Sequence, residues 1–188
     1  PVQGPKGDES AGYHGYWVAD FTQVDPHFGT NAEFKAFVDA AHARGIKIYL
    51  DIITNHTADV IRYRECPQND CDYRSRADFP YSTAGAIGGN RINSGFLGDE
   101  VRTRENFARL IRADFAYRPY VPSPQRKTKV PAWLNDPIWY HNRGNSRFAG
   151  ESILFGDFAG LDDLMTENPR VVEGIIEIYG RWIDDFGI

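Results

Sequence analysis

Asp51, Asn55 and His56 close an apolar run, Ile46-Lys47-Ile48-Tyr49-Leu50-Asp51-Ile52-Ile53-Thr54-Asn55-His56-Thr57. A carboxylate, an amide and an imidazole at the carboxyl end of a buried strand stand where α/β enzymes place their chemistry. The Asp in particular invites a catalytic reading. Length, β-branched side chains and Gly45 just before the run favour a strand over a segment of helix. Two further stretches carry polar or aromatic groups in dense order: Tyr13-His14-Gly15-Tyr16-Trp17 upstream, and Gly160-Leu161-Asp162-Asp163-Leu164 far downstream.

The elements that must position these groups can be read in turn. Residues 1–12 are rich in Gly, Pro and charge and predict an exposed loop. Thr30-Asn31-Ala32-Glu33 is a capping box. Phe34, Phe37, Val38 and Ala41 follow at helical spacing, so one face of that helix is apolar, and Gly45 ends it after Arg44. Helix, glycine and then a buried strand make half of a βαβ unit, which implies a parallel sheet covered by helices. From Thr57 to about Phe158 the periodicity fades into Gly-, Pro-, Asn-, Arg- and Tyr-rich chain. A helix is predicted after Thr103, with Phe107, Leu110, Ile111 and Phe115 on one face. Roughly a hundred residues is far beyond an ordinary connection, so this stretch reads as an inserted subdomain. Asn168 and Pro169 then start a second helix as N-cap and first position. Val172, Ile175, Ile176, Tyr179, Trp182, Ile183 and Phe186 are its expected apolar face, and Gly187 its end. The organisation expected is 1–56 and 160–188, which carry the helices and the apolar run, and 57–159, the insertion between them.

Composition narrows the class. The net charge of −5 comes with no basic stripe, which argues against nucleic-acid or anionic-membrane partners. No apolar run is long enough to span a membrane. Aromatic residues make up 14% of the chain, with 10 Tyr and 4 Trp, which suits either a large core or a groove for sugar rings. Cys66 and Cys71 close a short polar segment. They are either free thiols or a small disulfide; the loop has little else to hold it, which favours the bond and, with it, an oxidising compartment. Zinc is disfavoured, because two more ligands at suitable spacing are absent nearby. The chain begins with Pro and ends at Ile188 just after a helix, so both ends look cut.

Taken together, Tyr13-His14-Gly15-Tyr16-Trp17, the capped helix, Asp51-Ile-Ile-Thr-Asn55-His56, a long insertion and Gly160-Leu161-Asp162-Asp163-Leu164 resemble the α-amylase family, glycoside hydrolase family 13. The resemblance covers nearly the whole chain. It implies an α/β fold, part of a (β/α)8 TIM barrel around strands 2 to 4, with the insertion as a domain B-like subdomain. It implies that Tyr16 stacks on the sugar at the cleavage subsite and that His56 hydrogen-bonds a hydroxyl of the same sugar. Trp17 and His14 match neighbouring positions, Trp17 toward the core and His14 toward the outer cleft. Asn55 and Asp163 match ligands of a structural Ca2+, whose hard oxygen donors suit that ion; Asn135 and Asp136 are further candidates. Asp51 becomes a support for the loops, not a nucleophile. The family often has Pro where this chain has Asp162, and neighbouring side chains on extended backbone face opposite ways, so Asp162 and Asp163 do not readily share one ion.

The resemblance also implies what to expect of activity. Retaining glycoside hydrolysis needs two carboxylates about 5–5.5 Å apart, and in this family these follow later barrel strands. The expected parent is a hydrolase of α-1,4-glucosidic bonds in starch or maltodextrin, with this chain alone lacking the nucleophile and acid/base. An α-glucan transglycosylase and a non-catalytic carbohydrate-binding relative are the alternatives. The expected partner is an α-glucan, and the expected location is secreted or periplasmic.

Overall fold

The first two strands, β1 (Val2–Gln3) and β2 (Val18–Asp20), pair antiparallel and lead into helix α1 (Asn31–His42). The structure is a computed structural model in which residues 2–4, 12–68 and 70–188 are described; most of the expected N-terminal loop over residues 1–12 lies outside them. The capping box forms at the start of α1. Thr30 Oγ1 accepts from the Glu33 amide at 3.2 Å, and the Glu33 carboxylate accepts from the Thr30 amide at 2.8 Å. The helix closes at Ala43, and Gly45, at φ 73°, turns the chain away.

The segment after Gly45 departs from expectation. Residues 46–55 join no strand ladder among the described residues, and only β3 (His56–Thr57) is paired. Nor is the run buried: Tyr49 is 86% exposed, and Ile46 and Ile52 are also open. A strand exists through hydrogen bonds to a neighbour, and the apolar pattern says nothing about whether one is present. Here the run is anchored through its end. The Ala58 amide donates to Val18 O at 2.8 Å, and the Ile53 amide and carbonyl both meet the Tyr179 hydroxyl, at 2.9 and 2.7 Å. The strand pairs that form among the described residues are antiparallel and short, and parallel pairing is confined to isolated bridges such as Asp20 with Val130. β4 (Arg62–Tyr63) pairs with β5 (Pro119–Tyr120), and β3 pairs with β6 (Asp162–Asp163).

A second apolar cluster forms around Tyr81, Phe107, Leu110 and Phe115 and takes in Met165 from further along the chain. The helix expected after Thr103 is a single turn, α2 (Arg104–Phe107), and Ile111 is exposed instead of sharing its face. The reason is local. Asn93 Oδ1 accepts the amides of Ile111 and Arg112, which takes both out of any helical ladder. Cys66 and Cys71 are joined by a disulfide and sit buried beside Tyr63 and Tyr117. A second single turn, α3 (Ser152–Phe155), precedes β6.

The last helix, α4 (Pro169–Phe186), starts on the Asn168 side chain, which accepts the Arg170 amide at 3.0 Å. It ends at Gly187 in the left-handed conformation. Its buried stripe is Val171, Gly174, Ile175, Ile178, Tyr179, Trp182 and Phe186. Val172, Ile176 and Ile183, expected on that face, are exposed. The aliphatic residues are adjacent pairs, so periodicity alone permits a stripe rotated by one residue. Phe34 of α1 meets Trp182 and Phe186 edge-on at 5.9 and 5.1 Å, and the Trp182 indole donates to Phe21 O, which locks the two helices onto β2.

Candidate sugar-binding site

Pairing of β3 with β6 sets His56 opposite Asp163 and Thr57 opposite Asp162, so the two ends of the 57–162 segment meet at one joint. Side chains alternate along paired strands, and the two aspartates separate accordingly. Asp162 turns inward, where both carboxylate oxygens accept the Ile61 amide, the Val60 amide adds to one of them, and the buried Lys129 ammonium pairs with it. Burial raises the Asp162 carboxyl, although Lys129 pulls the other way. Asp163 faces the other side. Its Oδ1 accepts from Asn55 Nδ2 at 2.9 Å, and its Oδ2 lies 2.7 Å from His141 Nδ1.

His141 was not visible as a site residue, and nothing local marks it. Its second nitrogen reaches Glu167 at 3.0 Å, so two carboxylates bracket a fully buried imidazole. Burial works against its charge, but the flanking carboxylates raise its pKa to about 9, while burial raises the Asp163 carboxyl to about 6. Asp157 lies behind the joint and accepts from the Tyr63 hydroxyl at 2.7 Å; burial raises it well above the carboxylate range.

The aromatic knot lies on the open side of the joint. Tyr16 is 44% exposed, and its hydroxyl donates to Asp51 at 3.1 Å. That bond raises the phenol above its ordinary value. His14 accepts the Tyr16 amide at Nδ1, 3.0 Å away, and packs edge-on against the buried Trp17 at 4.7 Å. His56 is buried, and its Nε2 lies 3.1 Å from the Tyr16 carbonyl. Burial lowers the His56 pKa, so the ring is neutral near neutral pH, and Nε2 carries the proton that the carbonyl accepts. His56 therefore fixes the backbone of Tyr16. Tyr13, His14, Tyr16 and Asp51 border a cleft of about 380 Å³.

Two aromatic residues that the sequence did not single out extend this surface. Phe158 lies parallel to the His56 ring, 5.3 Å between centroids and 1° between planes, and Phe148 meets Phe158 edge-on at 5.5 Å. Both are exposed. They stand in loop without periodicity, so only the fold brings them beside His56. Asn135 and Asp136 are engaged elsewhere: the Asn135 amide group bonds Lys129 O and Ala132 O, and Asp136 caps the turn at Ile138. Among the described residues no group of three or more His, Cys, Asp or Glu is arranged to hold a metal ion.

A family model described as "Alpha amylase, catalytic domain" matches residues 3–188. An α-amylase of Streptomyces lividans is 52% identical over 188 residues, 100% of this chain and 20% of its own length. A cyclomaltodextrin glucanotransferase of Geobacillus stearothermophilus is 55% identical over 177 residues, 93% of this chain and 18% of its own. The chain thus spans about a fifth of the length of these relatives. Among solved structures, an Anoxybacillus α-amylase superposes with a TM-score of 0.53 at 25% identity, over 100% of this chain and 26% of that one. The α-amylase of Geobacillus thermoleovorans complexed with acarbose does so at 0.50 and 25%, over 98% and 27%. The architecture is accordingly that of part of a (β/α)8 barrel, and the chain belongs to the α-amylase family, within its catalytic domain.

Proposed function

We propose that this chain forms one wall of the sugar cleft of a retaining enzyme that hydrolyses α-1,4-glucosidic bonds in starch or maltodextrin. The observation that carries the reading is Tyr16: a half-open aromatic face whose hydroxyl is held by Asp51 and whose backbone is held by His56. Such a face takes the C–H side of a sugar ring while its polar tip stays fixed. In this reading residues 1–56 and 160–188 are barrel and 57–159 a domain B-like insertion. The nucleophile and the acid/base that form and resolve the glycosyl-enzyme bond lie outside this constellation. In this reading Asp51, Asp162 and Asp163 serve hydrogen-bonding roles, and the chain alone is expected to be inactive.

Asn55 now turns its amide nitrogen toward Asp163; with that amide turned over, its oxygen and the Asp163 carboxylate would be two hard donors for a structural Ca2+ completed by backbone carbonyls and water. Bound there, the ion would hold the insertion to the barrel and would supply no step of the reaction. The Cys66–Cys71 bond supports a secreted or periplasmic location. In this reading an α-glucan is the partner, and no helix among the described residues is long and apolar enough to cross a bilayer.

A second reading, an α-glucan transglycosylase, draws on the exposed Phe158–Phe148 pair, which offers an acceptor sugar a surface beside His56. The third, a non-catalytic carbohydrate-binding protein, shares the same wall. Maltotriose titration tests the shared reading: the Trp17 indole resonance shifts saturably, and Tyr16→Ala weakens binding. Absence of any response at Trp17 overturns it. Starch hydrolysis by the 188-residue chain would overturn the assignment of the carboxylates outside it.

A further inference from the structure

We propose that a second cleft, between α4 and the turn carrying Trp133, binds one glucosyl unit of an α-glucan outside the main sugar site. The choice of an α-glucan rests on the reading above. The cleft encloses about 190 Å³ and shares only Trp182 with the cleft that holds Tyr16. That is below the ~300 Å³ at which ligand pockets usually begin, which suits a single ring whose glycosidic linkage leaves across the rim of the cleft.

Its floor is apolar, from Phe21, Ile178 and Trp182, and its wall is the half-buried Trp133. The Trp133 ring rests directly on the backbone of α4. A Cβ at Gly174 would stand 2.4 Å from Trp133 Cζ2, so only glycine admits the ring there. A mid-helix glycine costs about 1 kcal/mol relative to Ala, and here it places an indole against the cleft. The Arg170 guanidinium lies 5.3 Å from the indole centroid and Trp139 meets it edge-on, so the ring is held before any ligand arrives. The indole N–H of Trp133 donates to none of the described residues.

The rim supplies hydrogen-bonding groups. Glu177, Arg181 and Asp185 follow at four-residue spacing along one edge of α4. Arg181 and Asp185 are exposed and pair neither with each other nor with another described residue, and Glu177 meets Arg170 only at 3.9 Å. The charges alternate in sign, so a bare ion would meet repulsion from at least one neighbour. A neutral polyol can donate to the carboxylates and accept from the guanidinium, while its C–H face lies on the indole.

Indole resonances of the four tryptophans, followed as maltotriose or cellotriose is added, test the proposal. Trp133 reports this cleft and Trp17 the main one. The expected result is a saturable shift at Trp133 with maltotriose and little with cellotriose. Gly174→Ala, which displaces the ring, should weaken that response several-fold and leave Trp17 unchanged. So should Arg181→Gln with Asp185→Asn, both exposed and outside the core. A silent Trp133 where Trp17 responds overturns the second cleft and leaves the main reading intact. A shift at Trp133 without one at Trp17 supports the second cleft and counts against the main one. Equal shifts with both sugars overturn the α-glucan assignment, and an unchanged response in the rim variant overturns the binding mode.

Discussion

Asn55 Nδ2 stands 2.9 Å from Asp163 Oδ1 across 108 positions of sequence, and that contact brings the two ends of the intervening segment together. A calcium ion would take the amide oxygen, so binding requires the Asn55 amide to turn over and give up this hydrogen bond. Any ion that binds only the folded state adds RT ln(1 + [L]/Kd), about 2.7 kcal/mol at a hundredfold excess over Kd. Calcium is therefore expected to raise the melting temperature and a chelator to lower it, and Asn55→Ala should remove most of the difference. Melting curves that ignore both calcium and chelator would end the case for a structural ion.

Lys129 and Asp162 form a fully buried ion pair that ties the proline-rich stretch to the joint, with the Tyr140 hydroxyl 3.0 Å from the ammonium. Desolvation disfavours the charged amine, but Asp162 more than compensates and raises its pKa. Removing one partner leaves an uncompensated buried charge, typically a loss of ~3–5 kcal/mol. Asp162→Leu and Lys129→Met, taken singly, are each expected to fall in that range. Lys129→Met combined with Asp162→Leu should lose clearly less, with the Val60 and Ile61 amides left unsatisfied as the residual cost. Urea unfolding of the two single variants and the double variant measures the coupling. A double variant as unstable as the sum of the singles would contradict it.

What the sequence reveals of this fold follows the range of each interaction. The Thr30–Glu33 box, the Asn168-Pro169 start and the Gly187 stop are legible because each is satisfied within a few residues. The burial of Val171 and Ile178 in place of Val172 and Ile183 is not, because which side of α4 meets Phe21 and Trp133 is decided by distant chain. The motif order Tyr16, Asn55-His56, Asp163 points to residues that the fold does bring together. His141, Glu167 and Phe158 join them from segments with no period to read, through contacts 22 to 102 residues away. Asp162, which looked like a departure from the family pattern, is the buried partner of Lys129.

Phe158 covers the His56 ring face to face, and His56 in turn holds the Tyr16 carbonyl. Aromatic pairs of this kind contribute about 0.5–1.5 kcal/mol beyond burial. Phe158→Ala is thus expected to weaken maltotriose binding by roughly threefold to tenfold, both by losing an aromatic surface and by loosening His56. Phe148→Ala, one ring further out, should have the smaller effect. His56→Ala frees the Tyr16 backbone and should weaken binding more than either. A titration in which Phe148→Ala outweighs His56→Ala would place the sugar outside the Tyr16 subsite.

Arg76 joins three stretches of chain far apart in sequence. Its guanidinium donates to Asp99 at 2.8 and 2.9 Å and to Glu151 at 3.1 Å, while its amide donates to Glu151 at 2.9 Å. Burial alone would raise the Glu151 carboxyl, but the hydrogen bonds from Arg76 outweigh it and hold the group below its ordinary 4.5. A carboxylate whose pKa is lower folded than unfolded stabilises the protein above the unfolded value, and that contribution is lost as pH falls through 4.5 toward the folded value. Arg76→Met should therefore lower the melting temperature at neutral pH and flatten its decline on acidification through 4.5, so that the two proteins converge in acid. The ions are part-exposed, so the effect is a modest fraction of the whole acid transition. Parallel curves for the two proteins across that range would show that Glu151 draws nothing from Arg76.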